Sequence, residues 1–249
     1  MKTISILNMK GGVGKTTTSI NLATGLAVKN YTVLIIDLDP QANSTDFYLK
    51  NKNYVFIDQM LHGHDVHVYE TRIDNLSFIP SRLELALAEK QILLDNKAQH
   101  NRLYKVIKKV KDNFDYIIID CPPILNLLTV NALNASDEVI IPIKVDKGAE
   151  KGFKITLQNI QEIADSYDLD IDHKILFTMV NKNNTDKQRI EDITANRKNH
   201  IIKTQIRYQS KPITSSAYFT EAVINGNSNV GADYLQLVKE ILRKDKKDE

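Results

Sequence analysis

The chain has no tryptophan, one cysteine and few aromatic residues, only 7% of its 249 positions. A lone cysteine, Cys121, closes no internal disulfide and builds no cysteine-based zinc or iron–sulfur site from one chain. With so few rings, the core must rest on Ile, Leu, Val and Ala. A large net charge is also missing. The formal balance is +2, which excludes a globally basic nucleic-acid binder but leaves room for a local patch. There is no apolar run of the roughly 20 residues a membrane helix needs. The opening "MKTISILNMKGG" is too short in apolar residues for a signal peptide. A cytoplasmic location is expected. Repeats, low-complexity tracts and Pro/Gly-rich linkers are absent too, so one domain over residues 1–249 is expected, with "RKDKKDE" (243–249) as a frayed, charged tail.

What is present suffices for a sizeable core: 42% hydrophobic and 26% charged residues. Five short apolar runs stand out, "TISILN" (Thr3–Asn8), "TVLIID" (Thr32–Asp37), "YIIID" (Tyr116–Asp120), "EVIIPI" (Glu138–Ile143) and "KILFTMV" (Lys174–Val180). They are β-branched and of strand length, as suits parallel strands buried on both faces. Helix-period segments lie between and after them. "LYKVIKKVKDNF" places Leu103, Val106, Ile107 and Val110 on one face, and "YLQLVKEIL" does the same with Leu235, Val238 and Ile241. The alternation predicts an α/β fold, a doubly wound and mostly parallel sheet flanked by helices.

The first strand runs into "NMKGGVGKTTT" (Asn8–Thr18), followed by a helix-compatible stretch. Strand, glycine loop and helix is the setting a phosphate-binding loop requires. Its backbone N–H groups and the helix N-terminus attract an anionic phosphate chain. Lys15 is expected to reach the terminal phosphates and Thr16 to offer its hydroxyl to Mg²⁺. Met9 stands where the common pattern has its first glycine, and Lys10 is an additional lysine inside the loop. "LIIDLDPQANST" brings Asp37 and Asp39 to a strand's carboxyl end, where one carboxylate can orient water and another can support a metal. "FDYIIIDCPP" ends an apolar strand in Asp120, a candidate metal-side acid.

These segments resemble the ParA/MinD class of P-loop ATPases. "KGGVGKTT" fits their deviant Walker A, K-G-G-x-G-K-[ST]-[ST]. "DLDPQANST" is similar to their switch I, "NLSFIPSRLELALAE" to a segment after the third strand, and "DCPPILNLLTVNALNASDEVIIPI" to switch II with the helix and strand after it. The small, Soj-like ParA proteins without an N-terminal helix-turn-helix look nearest. The resemblance implies a P-loop fold, ATP and Mg²⁺ as cofactors, and a slow, partner-stimulated ATPase. It assigns nucleotide contacts to Lys10, Gly11, Gly12, Val13, Gly14, Lys15, Thr16, Thr17 and, on the adenine side, Asn181. Lys10 would cross a homodimer interface to the partner subunit's phosphates. Lys10, Lys15 and Asp39 would act in catalysis, Lys10 from across that interface and Asp39 by supporting the attacking water. Thr16, Asp37 and Asp120 would form the metal side. The family's adenine-side "P…EAP" segment is poorly matched by "IRYQSKPITSSAYFTEAV", so no adenine contact is assigned there.

Between Lys182 and Lys211 eight cations (Lys182, Lys187, Arg189, Arg197, Lys198, Lys203, Arg207, Lys211) face three acids, a local +5 in a chain of +2. Such a face suits sequence-independent DNA phosphate contacts. The helix bearing Arg102, Lys105, Lys108 and Lys109 is a second, weaker candidate. The resemblance then implies a DNA-partition ATPase on the nucleoid with a centromere-binding, ParB-type partner. A MinD-like membrane-positioning ATPase is the alternative, but the last seven residues hold no apolar member to insert into lipid. A cargo-positioning ATPase would share every motif. A nitrogenase-type reductase is excluded because its cluster needs two cysteines per subunit, and no ligase substrate pocket is legible. "HGHDVH" clusters His62, His64 and His67; a surface loop is the expectation there rather than a metal site.

Overall fold

A computed structural model describes residues 1–49, 53–95, 99–181, 183–195, 200–219 and 221–248. In chain order it comprises β1 (Lys2–Ile6), α1 (Lys15–Val28), β2 (Val33–Asp37), α2 (Asn43–Tyr48), α3 (Ile57–Leu61), β3 (Tyr69–Glu70), β4 (Leu76–Ile79), α4 (Leu85–Leu93) and α5 (Arg102–Lys108). Then come β5 (Tyr116–Asp120), α6 (Leu127–Asn134), β6 (Glu138–Lys144), α7 (Ala149–Tyr167), β7 (Asp172–Thr178), α8 (Asn184–Thr194), α9 (Ser210–Phe219) and α10 (Asn229–Asp248). Among the described residues the strands form one seven-stranded sheet in the order β3-β4-β2-β5-β1-β6-β7. Every pairing is parallel except the short β3–β4 edge. This is the doubly wound architecture that the alternating apolar runs predict.

The five runs become β1, β2, β5, β6 and β7 because their residues are apolar on both faces. In β2 and β5 every residue is buried. Alternate side chains enter two cores, as a period of two demands. Leu34, Ile36, Ile117 and Ile119 pack under α3 to α7, while Val33, Ile35, Ile4 and Ile6 pack under α1 and α10. α10 and the turn before it press on α1 so closely that a Cβ on Gly25 would lie 2.5 Å from Ile224 Cδ1, in the segment 223–225, and 2.6 Å from Val238 Cγ2 of α10. The apolar face of α10 is turned inward, with Leu237, Val238 and Ile241 buried.

The end of the chain differs from the frayed tail expected from residue 243. α10 runs to Asp248, and Asp245 accepts hydrogen bonds from Lys2 Nζ at 2.7 Å and Tyr116 Oη at 2.6 Å. A lysine and a tyrosine at the amino-terminal ends of β1 and β5 give this polar turn partners that its own sequence does not reveal.

The topology places chemistry at one end of the sheet. Chain direction is shared by all but β3, so the carboxyl ends of β1, β2 and β5 lie side by side. Asp37 and Asp120 are register partners on β2 and β5, and Asp120 is level with Ile6, two residues before Asn8.

Candidate functional site

The loop 8–14 begins where β1 ends. Asn8 pins it, donating from Nδ2 to the Pro142 carbonyl at 2.7 Å and accepting the Lys10 N–H at 2.8 Å. On the far side the Thr178 hydroxyl donates to the Val13 carbonyl at 2.8 Å. Gly12 and Gly14 have φ of +69° and +90°, a backbone region that a side chain makes costly. Gly14 caps α1, whose first turn carries no acidic residue and no side-chain cap. The helix N-terminus is therefore left with free N–H groups and a positive dipole end, a seat for phosphate. Gly11 and Gly12 are exposed, and a Cβ on either would meet nothing within 4 Å, so the loop is open at these positions.

Lys15, the first residue of α1, is buried, and its Nζ reaches the Lys10 carbonyl at 3.5 Å. Burial pulls its ammonium below the ordinary lysine range, against the opposing pull of Asp120 and Asp39. Lys10 is held differently. Its Nζ donates to both oxygens of Asp146 of its own chain, at 2.7 and 2.6 Å, in the loop before α7. Both side chains keep about a third of their exposure, 34% and 32%. Asp146 also accepts the Gly148 N–H, and its carboxyl sits below the usual range because these donors outweigh its desolvation.

The acids form a compact group. Asp37 Oδ1 accepts the Asp39 N–H at 3.0 Å, and Oδ2 accepts both the N–H and hydroxyl of Thr45, at 2.9 and 2.7 Å. Asp120 Oδ1 accepts the Ser19 hydroxyl at 3.0 Å, whereas its Oδ2 is buried without a hydrogen-bond partner. Burial first, then the neighbouring Asp120, raises Asp37 to about 7. Burial and Asp39 raise Asp120 to about 6, although the hydroxyls of Thr16, Ser19 and Ser44 work against the rise. Two fully buried carboxylates facing each other, one with an orphaned oxygen, are short of a positive charge. A divalent cation suits this donor set: oxygen ligands from carboxylate and hydroxyl, with Asp120 Oδ2 open to it and Asp37 already held by three chain donors. Asp39 is buried too, and its Oδ1 accepts the Gln41 N–H.

Sequence reasoning places Lys10, Lys15, Thr16, Asp37, Asp39 and Asp120 at one end of the sheet, and the structure brings them together there. Asn181 is turned toward α8: its N–H and Nδ2 both donate to Asp186 Oδ2. A cavity of about 220 Å³ opens beside Gly14 and Thr17, walled by Met179, Tyr208, Ile213 and Tyr234 among others. Tyr208 and Ile213 belong to the segment to which sequence reasoning assigns no contact. Their signal is hidden because 206–214 carries no glycine or periodic motif of its own. It is held by contacts distant in sequence, Tyr208 N–H to the Val180 carbonyl and the Arg207 guanidinium to Asp233.

Of the eight cations expected to meet DNA, Lys182, Arg197 and Lys198 lie outside the described residues. Lys187, Lys203 and Lys211 are exposed. Arg189 pairs with Asp186 at 3.3 Å, and Arg207 makes a bidentate pair with Asp233. Among the described residues no group of three or more His, Cys, Asp or Glu could hold a metal ion by itself, and His62 Nδ1 is bonded to the Asp58 carbonyl. Cys121 is buried, which pushes its thiol up to about 12 and leaves it inert near neutral pH.

A glycine loop capping a helix, a buried lysine and paired strand-end acids on a doubly wound sheet define a P-loop nucleotide-binding protein. The chain belongs to the AAA domain family, whose model matches residues 1–175, and is a ParA-like P-loop ATPase. The sporulation initiation inhibitor protein Soj of Bacillus subtilis is 36% identical over 248 residues, covering 96% of this chain and 98% of Soj. A putative plasmid partition protein of Borrelia burgdorferi, solved with AMPPNP, is 27% identical with a TM-score of 0.80, covering 98% of each chain. Cobyrinic acid a,c-diamide synthase of Mycobacterium smegmatis, solved with an ATP analogue and magnesium, is 25% identical with a TM-score of 0.88, covering 100% of this chain and 97% of its own.

Proposed function

We propose that this protein is an ATP-switched partition ATPase. It binds ATP with Mg²⁺, pairs face to face with a second copy, and in that state binds DNA without sequence preference. The observation that carries the reading is the group at the strand ends: an open helix N-terminus, buried Lys15, and the Asp37–Asp120 pair with its orphaned oxygen. The relatives solved with AMPPNP, or with an ATP analogue and magnesium, support the choice of nucleotide.

The phosphates would rest on the N–H groups of Gly11 to Thr17, with Lys15 against the terminal ones. Thr16 and Asp120 would hold the Mg²⁺, with Asp37 beside them. When bound, the ion neutralises charge on the phosphate oxygens. Asp39 orients the attacking water, and the cavity beside Tyr208 and Met179 takes the nucleoside. Lys10 leaves Asp146 and reaches the partner subunit's phosphates. Because one chain lacks that lysine in its own site, turnover by itself is slow, and a ParB-type partner stimulates it. DNA phosphates meet the exposed Lys187, Lys203 and Lys211 on a face that dimerisation doubles. The naming of Soj and of a plasmid partition protein among the relatives supports partition as the setting. The inward-facing apolar side of α10 weighs against a membrane role for that helix.

The test is binding to a nonspecific DNA duplex with ADP, ATP and a slowly hydrolysed analogue. Tight binding is expected only with the last two. Equal binding in all three defeats the switch.

A further inference from the structure

Two buried hydroxyls behind the site join elements far apart in sequence. Thr45 lies in the first turn of α2 and Ser81 follows β4, one residue after Pro80. Both are buried, at 8% and 1% exposure. The Ser81 N–H donates to Thr45 Oγ1 at 2.9 Å. A hydroxyl has one proton, and the one on Thr45 is left for Asp37 Oδ2 at 2.7 Å. The direction of this chain of bonds is therefore fixed: backbone amide to threonine to carboxylate. The Ser81 hydroxyl, in turn, donates to the Asp39 carbonyl at 2.9 Å.

The pair thus touches both acids at once. Thr45 fixes the carboxylate of Asp37, while Ser81 fixes the backbone of Asp39 on the other side of the same turn. That turn needs holding, because Ala42 within it has φ +54°, where a non-glycine residue is strained. Two further bonds run from one acid to the other or within the loop: Asp39 N–H to Asp37 Oδ1 and Ala42 N–H to the Asp39 carbonyl. The Asp39 carbonyl is thereby shared between Ser81 and Ala42, while its carboxylate Oδ1 accepts the Gln41 N–H at 2.9 Å within the same turn.

We infer that Thr45 and Ser81 are positioning residues for ATP hydrolysis, a latch that sets the metal-side Asp37 and the water-side Asp39 in one fixed relation. This rests on the roles proposed above for those two acids. The latch acts through Asp37 and Asp39 and touches no substrate itself. It also explains the "IPS" segment: Pro80 accepts the Ile57 N–H through its carbonyl and stiffens the approach, and Ser81 delivers both a backbone and a side-chain donor to the switch loop.

The test is steady-state ATPase of Ser81→Ala, Thr45→Val and Thr45→Ser, with kcat, KM for ATP and the half-saturating Mg²⁺ measured separately. Ser81→Ala should lower kcat about 10-fold or more, with KM for ATP within about twofold, because misplacing a catalytic group costs the reaction step rather than binding. Thr45→Val removes a bond to a charged oxygen and should raise the half-saturating Mg²⁺ about 10-fold, whereas Thr45→Ser keeps the hydroxyl and restores it. Where Ser81→Ala does not fold, Ser81→Cys, a weaker donor of similar size, should give an intermediate kcat. A wild-type kcat in the Ser81 variants, or equal behaviour of Thr45→Val and Thr45→Ser, overturns the latch while leaving the ATPase reading intact. A wild-type protein without Mg²⁺-dependent ATPase overturns that reading and the latch with it.

Discussion

Replacing Asp146 by Asn tests the proposal that Lys10 must leave a carboxylate of its own chain to act on a second subunit. The carboxylate accepts two bonds from Lys10 Nζ, at 2.7 and 2.6 Å, and one from the Gly148 N–H. Asparagine keeps an acceptor for Gly148 and removes the charge, so the loop is kept while the ion pair is lost. With both side chains about a third exposed, solvent screens the pair, and about 0.5–1 kcal/mol is its fair worth. In the proposed face-to-face dimer two such lysines are released, one from each chain. The cost removed is therefore about 1–2 kcal/mol, and the dimer dissociation constant should fall about 5- to 30-fold. Sedimentation velocity with Mg²⁺ and a slowly hydrolysed ATP analogue measures this directly. The gain should shrink as salt is raised, since the pair it removes is screened by salt. An unchanged or weaker dimer in Asp146→Asn refutes the idea that this contact competes with dimerisation.

Other outcomes rest on neighbouring parts of the structure. Gly25→Ala should gain about 1 kcal/mol of helix propensity but lose about 2–3 kcal/mol to crowding against Ile224 and Val238, for a net loss of about 1–2 kcal/mol. A melting temperature at or above wild type would contradict that. In metal-free solution, the raised carboxyls of Asp37 and Asp120 make the folded chain bind more protons than the unfolded one, so this contribution to stability falls as pH rises from about 4 to about 7. Asp37→Asn should lose less stability than wild type across that window in thermal melts with EDTA; parallel curves would count against the buried-pair account. Replacing Lys187, Lys203 and Lys211 together by Ala should weaken binding to all DNA sequences alike. The slope of log K against log salt should fall by about 0.9 for each lysine that met a phosphate, and an unchanged slope would remove these residues from the DNA face.

Much of this architecture is legible in the sequence because its strands are uniform. "YIIID" needs no tertiary information to be read as a buried strand, and it is β5 with the same bounds. β4, Leu76–Ile79, is not among the apolar runs, since it is four residues long and interrupted by Ser77. β3 is two residues and exists only by pairing with β4. The phosphate loop and the strand-end acids are readable because their residue types carry the chemistry. The walls of the cavity beside Gly14 are only partly so: Met179 lies near the end of the legible run "KILFTMV", but Tyr208 gains its place from its bond to the Val180 carbonyl and from the Arg207–Asp233 pair rather than from local pattern. The partner of Lys10 is hidden for the same reason: Asp146 is 136 residues away and is brought near by β6 lying next to β1.

Whether a second copy completes the site through Lys10 is tested most directly by sedimentation of wild type and Lys10→Ala. Both proteins are run with Mg²⁺ and a slowly hydrolysed ATP analogue, and nucleotide binding by each monomer is measured alongside. Wild type should form a dimer, and Lys10→Ala should remain a monomer that still binds nucleotide. Equal dimerisation by the two proteins would contradict a site shared between subunits.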